Sequence, residues 1–284
     1  MAIDYDALMA TRVDDEVCEY TDKDALLYAL AVGFGSNPLD RKELPYVYEG
    51  ASLRTVPTLA SMLLPSTFLD HCGWDYDQVL HSELKLELYR PLPASARLFT
   101  NRRVVAVQDR GPRRGVKIFI ESEARLAKDD TALFVLGNTL LARGDGGFGG
   151  PRAQIAAPHR LPKRPPDLVC ELTTRPDQAL LFRLCGDRNP LHADPQLAAR
   201  LGFAVPLLHG RNTCGVACRA ILQTICDYDF TLISGFNVRF TAPVYPGDLI
   251  STEMWQDGNI VSFRCLVKAR DAVVINNGKC TLAA

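Results

Sequence analysis

Asp187 and His192 stand five residues apart in the run GDRNPLH, with Asn189-Pro190 between them. A carboxylate with an ordinary pKa of about 3.9 and an imidazole of about 6.5 are the side chains best suited to moving protons near neutral pH, so the pair points to general acid/base work. Asn189-Pro190 is a turn signal, because proline disfavours helix in the residue before it, and it should end the element that begins at Asp177. Both side chains are then free to sit on a loop and face one pocket. Twenty-three residues beyond Asp187 comes PLLHGRNTCG, in which Gly210 stands where an apolar run gives way to a helix-like segment. A glycine there lets its backbone N–H approach a ligand oxygen closely. Taken singly, an Asp-x-Asn-Pro turn is also satisfied by bonds to its own backbone; the combination is rarer.

The elements that must position these groups become visible when the chain is laid on itself at an offset of 152 residues. Asn37-Pro38-Leu39 falls on Asn189-Pro190-Leu191, and Leu84, Leu86 and Leu88 fall on Phe236, Val238 and Phe240. Pro91 falls on Pro243, and ALLYAL near 25 resembles ALLFRL near 179 after a shift of two residues. So long a repeat implies duplication of a whole domain, since solenoid units recur about every 20 to 50 residues. Between the copies, RGDGGFGGPRAQIAAPHRLPKRPPD is dense in Gly, Pro and Arg and marks a linker over 143–167, between an N-terminal repeat (1–142) and a C-terminal repeat (168–284). Each copy reads as a short helix, a turn, a longer apolar helix and several strands. In the second, the segment from about Gly210 to Cys226 is apolar or small nearly all round, as a helix buried on most faces must be. Phe236, Val238 and Phe240, and then Val261, Phe263, Cys265 and Val267, alternate with polar residues. The first copy repeats that alternation at Leu84 to Leu88 and at Val116 to Ile120, so half-buried antiparallel strands are expected in both. Periodicity alone gives an α+β class. The position matching Asp187 is Gly35 and that matching His192 is Asp40, so the first copy has lost the pair.

Composition narrows the function classes. A length of 284 residues suits about two domains, and 47% apolar residues suffice for a core in each. A net charge of −1 offers no basic excess for nucleic acid, leaving only local arginines to meet ligand phosphates. Nine cysteines, an odd count without CxxC pairs, suggest neither a disulfide framework nor a zinc site and fit a reducing, cytoplasmic setting. Cys214 and Cys218, four apart on one helix, read as small buried side chains. No run reaches the ~18 apolar residues of a membrane span, the acidic N-terminus does not read as a signal peptide, and CTLAA is not a Ser-Lys-Leu address. No membrane partner is expected.

GDRNPLH, followed at this distance by PLLHG, resembles the hydratase 2 motif of the MaoC-like dehydratase family, and from about Asp24 to Thr281 the chain is similar to its two-domain members. The resemblance implies a double hot-dog fold, two tandem repeats each with a central helix wrapped by an antiparallel sheet. It implies reversible (R)-specific hydration of trans-2-enoyl-CoA to (3R)-hydroxyacyl-CoA, with no metal and no redox cofactor, coenzyme A being part of the substrate. It also implies a homodimer whose silent N-terminal half makes room for a bulky or long acyl group. That reaction sets three tasks: deprotonating a water, protonating the α-carbon, and stabilising an enolate-like oxyanion. Asp187 and His192 would share the first two, Asn189 would orient the water or the carboxylate, and the Gly210 N–H would bond the oxyanion. His209 should bond the backbone and fix the helix entrance. Arg211 would meet the nucleotide phosphates of CoA or face solvent, with Lys163 and Arg164 as weaker candidates. Gly186 and Pro190 join His209 and Arg211 as substrate-binding positions. His71, His81 and His159 have no identifiable partner and read as surface or structural residues. TLASMLLPSTF, Thr58 to Phe68, should border the acyl tail, with Ala60 and Ser61 setting its limit. Two alternatives use the same fold: an acyl-CoA thioesterase attacking the carbonyl, and a non-catalytic acyl-CoA binding protein.

The lost pair in the first copy generates a prediction. Asp40→Ala should leave turnover nearly intact, whereas Asp187→Ala and His192→Ala should each lower kcat by at least about a hundredfold. Because the two act as one unit, the double variant should be little worse than either single one; strictly multiplicative losses would exclude a shared water.

Overall fold

The computed structural model describes residues 4–50, 52–64, 68–69, 78–150 and 156–283. His71, Cys72 and positions 65–67 lie outside them. The N-terminal half contains α1 (Tyr5–Ala10), β1 (Arg12–Tyr20), α2 (Asp22–Ala31), α3 (Leu44–Val47), a 3-10 helix (Pro57–Met62), β2 (Val79–Leu88), β3 (Ala96–Asp109), β4 (Val116–Leu126) and β5 (Ala132–Ala142). The C-terminal half contains β6 (Leu168–Thr173), α4 (Gln178–Phe182), α5 (Pro195–Arg200), α6 (Gly210–Thr224), β7 (Ile233–Phe240), β8 (Leu249–Asp257), β9 (Ile260–Val267) and β10 (Ala272–Leu282).

The strands form one ten-stranded sheet in the order β1-β3-β4-β5-β2-β7-β10-β9-β8-β6. Each half therefore has the same internal order, mirrored about the β2–β7 junction. At that junction the partners are antiparallel, with Lys85 opposite Asn237, Glu83 opposite Arg239 and Glu87 opposite Gly235. Lys85 and Asn237 are the two residues related by the sequence repeat, so a local two-fold axis passes between them. Leu84, Leu86, Phe236 and Val238 point into the core from the two sides of this seam, and the opposite charges of Glu83 and Arg239 face each other across it.

Helix α6 lies under the sheet with every residue from Asn212 to Leu222 buried. Cys214 and Cys218 are small core residues, as their spacing suggested. The helix also buries polar groups, whose partners come largely from other elements. Asn212 Nδ2 donates to the Ala31 carbonyl (2.7 Å), its Oδ1 accepts from Gln178 Nε2 (2.7 Å), and Arg219 forms a buried ion pair with Glu43 (2.7 Å) while bonding Ser36 Oγ (2.9 Å).

Two expectations change. Among the described residues the N-terminal half has no long central helix; the 3-10 helix Pro57–Met62 packs against α6, β2 and β5 instead. Pro57 and Pro65 leave between them a run too short for a helix like α6. The element after Asp177 also stops earlier than expected, at Gly186, whose φ of +122° no L side chain adopts readily, and not at Asn189-Pro190.

Removing one member of a buried ion pair strands the other charge, so Glu43→Ala should destabilise the fold by about 3–5 kcal/mol in urea titration. Glu43→Leu combined with Arg219→Met should recover much of that loss. A single-variant cost below about 1 kcal/mol would mean the pair does not couple the halves.

Candidate active site

The chain folds Asp187 and His192 onto the N-terminus of α6 through two turns in series. Asp187 Oδ1 accepts the Asn189 backbone N–H (3.3 Å), and Asn189 Oδ1 accepts the Leu191 N–H (2.9 Å) at the start of the 3-10 turn Pro190–His192. It is thus the backbone of Asn189 that orients the carboxylate, while its side-chain oxygen is committed to the turn. Gly186 and Pro190 are exposed and do conformational work: one supplies the positive φ, the other starts the turn.

His192 Nδ1 lies 2.9 Å from the Leu207 carbonyl oxygen. A carbonyl only accepts, so the neutral ring carries its proton on Nδ1 and keeps a lone pair on Nε2. His209 has the opposite tautomer: Nε2 donates to the Asp187 carbonyl (3.2 Å), and Nδ1 is buried with no partner. This bond ties the helix entrance to the Asp187 loop, the role expected for it. The two imidazoles stack at 3.6 Å, and Phe182 packs 4.9 Å from His209. One donor atom each from Asp187, His192 and His209 lie within 4.8 Å of one another.

Burial would raise the Asp187 carboxyl pKa, but Arg211, His209, His192 and the Asn189 N–H outweigh it and hold it below its ordinary value. Burial lowers His192 against the opposing pull of Asp187 and the Leu207 carbonyl. Burial, reinforced by the neighbouring His192, lowers His209 to about 3. At neutral pH the cluster is therefore one carboxylate beside two neutral imidazoles, each hydrogen-bonded to a backbone carbonyl through one nitrogen, with the free lone pair on Nε2 of His192 and on the buried Nδ1 of His209. A water between Asp187 and His192 Nε2 can donate a proton to each.

Gly210 is the first residue of α6, so its N–H has no acceptor within the helix and stands at the positive end of the helix dipole. Phe240 lies 3.4 Å from where a Cβ on Gly210 would be, so a Cβ there would touch that ring. Arg211 does not simply face solvent: it is half-buried, with Nη1 4.0 Å from Met62 Sδ of the N-terminal half, and its charge acts on Asp187.

His81 is the residue that sequence reasoning missed. It sits on β2, 5.1 Å from the Phe240 ring, where burial and the Arg211 charge lower its pKa to about 3 against the pull of Asp187. The usable signal was the repeat, which lays β2 beside β7 and so brings His81 near Phe240. The other residues have structural work. His159 Nε2 meets Ser262 Oγ (2.8 Å), and Arg164 bonds Asp167 and Asp257. At the silent positions, the Gly35 N–H donates to Glu43 (2.8 Å) and Asp40 accepts from Tyr228 Oη (3.3 Å).

Fold and site together define a double hot-dog protein with an Asp/His pair at the mouth of its central helix. The MaoC-like domain pattern matches residues 158–278, and the MFE-2 hydratase 2 N-terminal domain pattern matches residues 18–144. The chain belongs to the MaoC-like dehydratase family, in its two-domain hydratase 2 branch. It is 35% identical over 290 residues to the peroxisomal enoyl-CoA hydratase 2 of Arabidopsis thaliana, covering 95% of this chain and 93% of that protein. Its structure is similar to full-length peroxisomal multifunctional enzyme type 2 of Drosophila melanogaster (TM-score 0.82, 32% identity), covering 95% of this chain and 48% of that one. In fold alone it is similar to a Mycobacterium tuberculosis protein described as a double hotdog (TM-score 0.60, 15% identity, 95% of this chain and 94% of that one).

His209 stays neutral in the fold down to about pH 3 but takes a proton below its ordinary 6.5 when unfolded. Its depressed pKa therefore makes stability fall as pH drops from 6.5 toward 3. Urea titrations at pH 7.5, 6.5 and 5.5 should show a loss approaching about 1.4 kcal/mol per pH unit below 6.5 from this group. His209→Gln should flatten that slope; an unchanged slope would mean that His209 is not held neutral.

Proposed function

We propose that this chain adds water across the double bond of a trans-2-enoyl-CoA, reversibly, to give the (3R)-hydroxyacyl-CoA. The observation that carries the reading is the convergence of ionised Asp187, the Nε2 lone pair of neutral His192 and the unused N–H of Gly210 at one helix mouth. The substrate's thioester oxygen would take the Gly210 N–H. Water held by Asp187 and His192 would give its oxygen to the β-carbon and one proton to the pair. Negative charge building on the thioester oxygen would be met by that N–H, a kind of contact worth about 2.7–4 kcal/mol where single donors have been removed. A proton passed from the pair to the α-carbon closes the cycle, so these side chains and water supply all the proton traffic.

The N-terminal half would house the acyl tail. Supporting this, its buried 3-10 helix reaches the site at Met62. Ala60 and Ser61, 0% and 1% exposed, are already closed in the core, so Trp at either would overpack it; the size limit belongs to Met62. The reading keeps a reducing, cytoplasmic setting, supported by eight free cysteines among the described residues, although relatives carry "peroxisomal" in their names. It also keeps a homodimer, supported by exposed Leu30 on α2, Leu180 on α4 and nearby Leu184, which are 39%, 54% and 53% accessible.

Crotonyl-CoA decides the class. Loss of the conjugated-enoyl absorbance without free thiol, with a product oxidised only by a (3R)-specific dehydrogenase, is the expected result. Thiol release would make the protein a thioesterase, and no change would make it a binder. Dialysis against EDTA should leave turnover intact; activity lost and then restored by zinc would instead turn Asp187, His192 and His209 into a metal site. Met62→Trp should depress kcat/KM for decenoyl-CoA while sparing crotonyl-CoA, by about 0.8 kcal/mol for each methylene displaced. Light scattering should give twice the 31.3 kDa of one chain; a monomer mass removes the dimer.

A further inference from the structure

The N-terminal half has lost its own acid/base pair, yet one of its strands reaches the site of the other half. β2 carries an irregularity between His81 and Glu83, where its register against β5 shifts. Leu84, Leu86 and Leu88 set the inward side of the strand, and strict alternation back from them would turn His81 outward with Glu83 and Lys85. The shift turns it inward instead, onto the Phe240 ring and within electrostatic reach of Asp187 and Arg211. Bulges are a common means of re-aiming one side chain beside a site. His81 Nε2 is buried and has no hydrogen-bond partner. Asn138, beside it on β5, is 8% exposed, and its Oδ1 is also buried without a partner. The Asn138 side chain stands close enough to bear on the His81 ring, yet neither atom closes a well-formed hydrogen bond, and such atoms are costly in a fold unless a ligand meets them.

We propose that His81 and Asn138 accept a hydrogen bond from the first amide N–H of the pantetheine arm of the CoA thioester, making them positioning residues lent by the silent half. This rests on the acyl-CoA reading above. Asn138 Oδ1 accepts such a donor outright, and His81 Nε2 accepts it in the tautomer protonated at Nδ1. Held neutral by burial, the ring adds no second cation beside Arg211. Two methylenes separate the thioester sulfur from that amide nitrogen. With the thioester oxygen on the Gly210 N–H, the Phe240 ring, which lies against both Gly210 and His81, spans the interval.

The test compares three thioesters: crotonyl-CoA, crotonyl-N-acetylcysteamine, which keeps the amide, and S-ethyl crotonothioate, which lacks it. His81→Leu and Asn138→Leu should raise KM for the first two by about tenfold with kcat little changed, and leave the third unaffected. His81→Gln should restore part of the loss and guards against a folding defect. Equal losses on all three substrates, or none, overturn the inference. Titration with butyryl-CoA reads the same contact without chemistry: an unchanged Kd for His81→Leu overturns the inference, and one weakened by about tenfold supports it. Failure of the wild type to hydrate crotonyl-CoA would instead sink the hydratase reading, and the two failures remain distinguishable.

Discussion

Helix α6 has no solvent face over Asn212 to Leu222, and the rest of the molecule is arranged around that fact. An apolar helix buried all round needs a sheet that wraps it. One that also carries Asn212 and Arg219 needs partners for an amide and a charge in the core. Both reach the N-terminal half, to the Ala31 carbonyl and to Glu43. The N-terminal half is therefore part of the environment that makes α6 stable, which gives a physical reason for a duplicated chain to retain a copy that lacks the Asp/His pair.

The same burial shapes the site. Because α6 begins at half-buried Gly210, next to the buried His209, its first N–H groups are partly screened from bulk water and available to a ligand. His209 and His192, stacked and enclosed beside it, lose the charge they would carry near pH 6 in water. Asp187 feels the same desolvation, yet Arg211 and the two imidazoles reverse its effect. One environment thus lowers both kinds of group, the imidazoles as burial alone would and the carboxyl against what burial alone would give it. The result is an anion beside neutral rings, an arrangement suited to holding a water by both its protons.

Duplication and divergence can be followed residue by residue. The Gly35 N–H now serves Glu43, which in turn holds Arg219, so the vacated site has become part of the clamp on the helix. Asp40 takes a hydroxyl from Tyr228 of the opposite half. Across the β2–β7 seam the symmetric register survives, while among the described residues the fifteen α-helical residues of α6 are matched in the first copy by six in a 3-10 helix.

The sequence by itself determined the class of fold, the duplication and the candidate Asp187/His192 pair. Alternation at Leu84 to Leu88 and Phe236 to Phe240, all-round burial after Gly210 and the GDRNPLH turn are local patterns, written in spacing. Even the seam was latent there, since Lys85 and Asn237, 152 apart, proved to be opposite each other at its centre. What only the tertiary structure decided depends on which segments meet. The pairing of Arg219 with Glu43, the placement of Arg211 against Met62 and the tautomers of His192 and His209 all depend on partners far away in the chain or on the backbone of another loop. The inward turn of His81 depends on a one-residue register shift that no local pattern announces, because a strand's alternation is readable only until a bulge resets it.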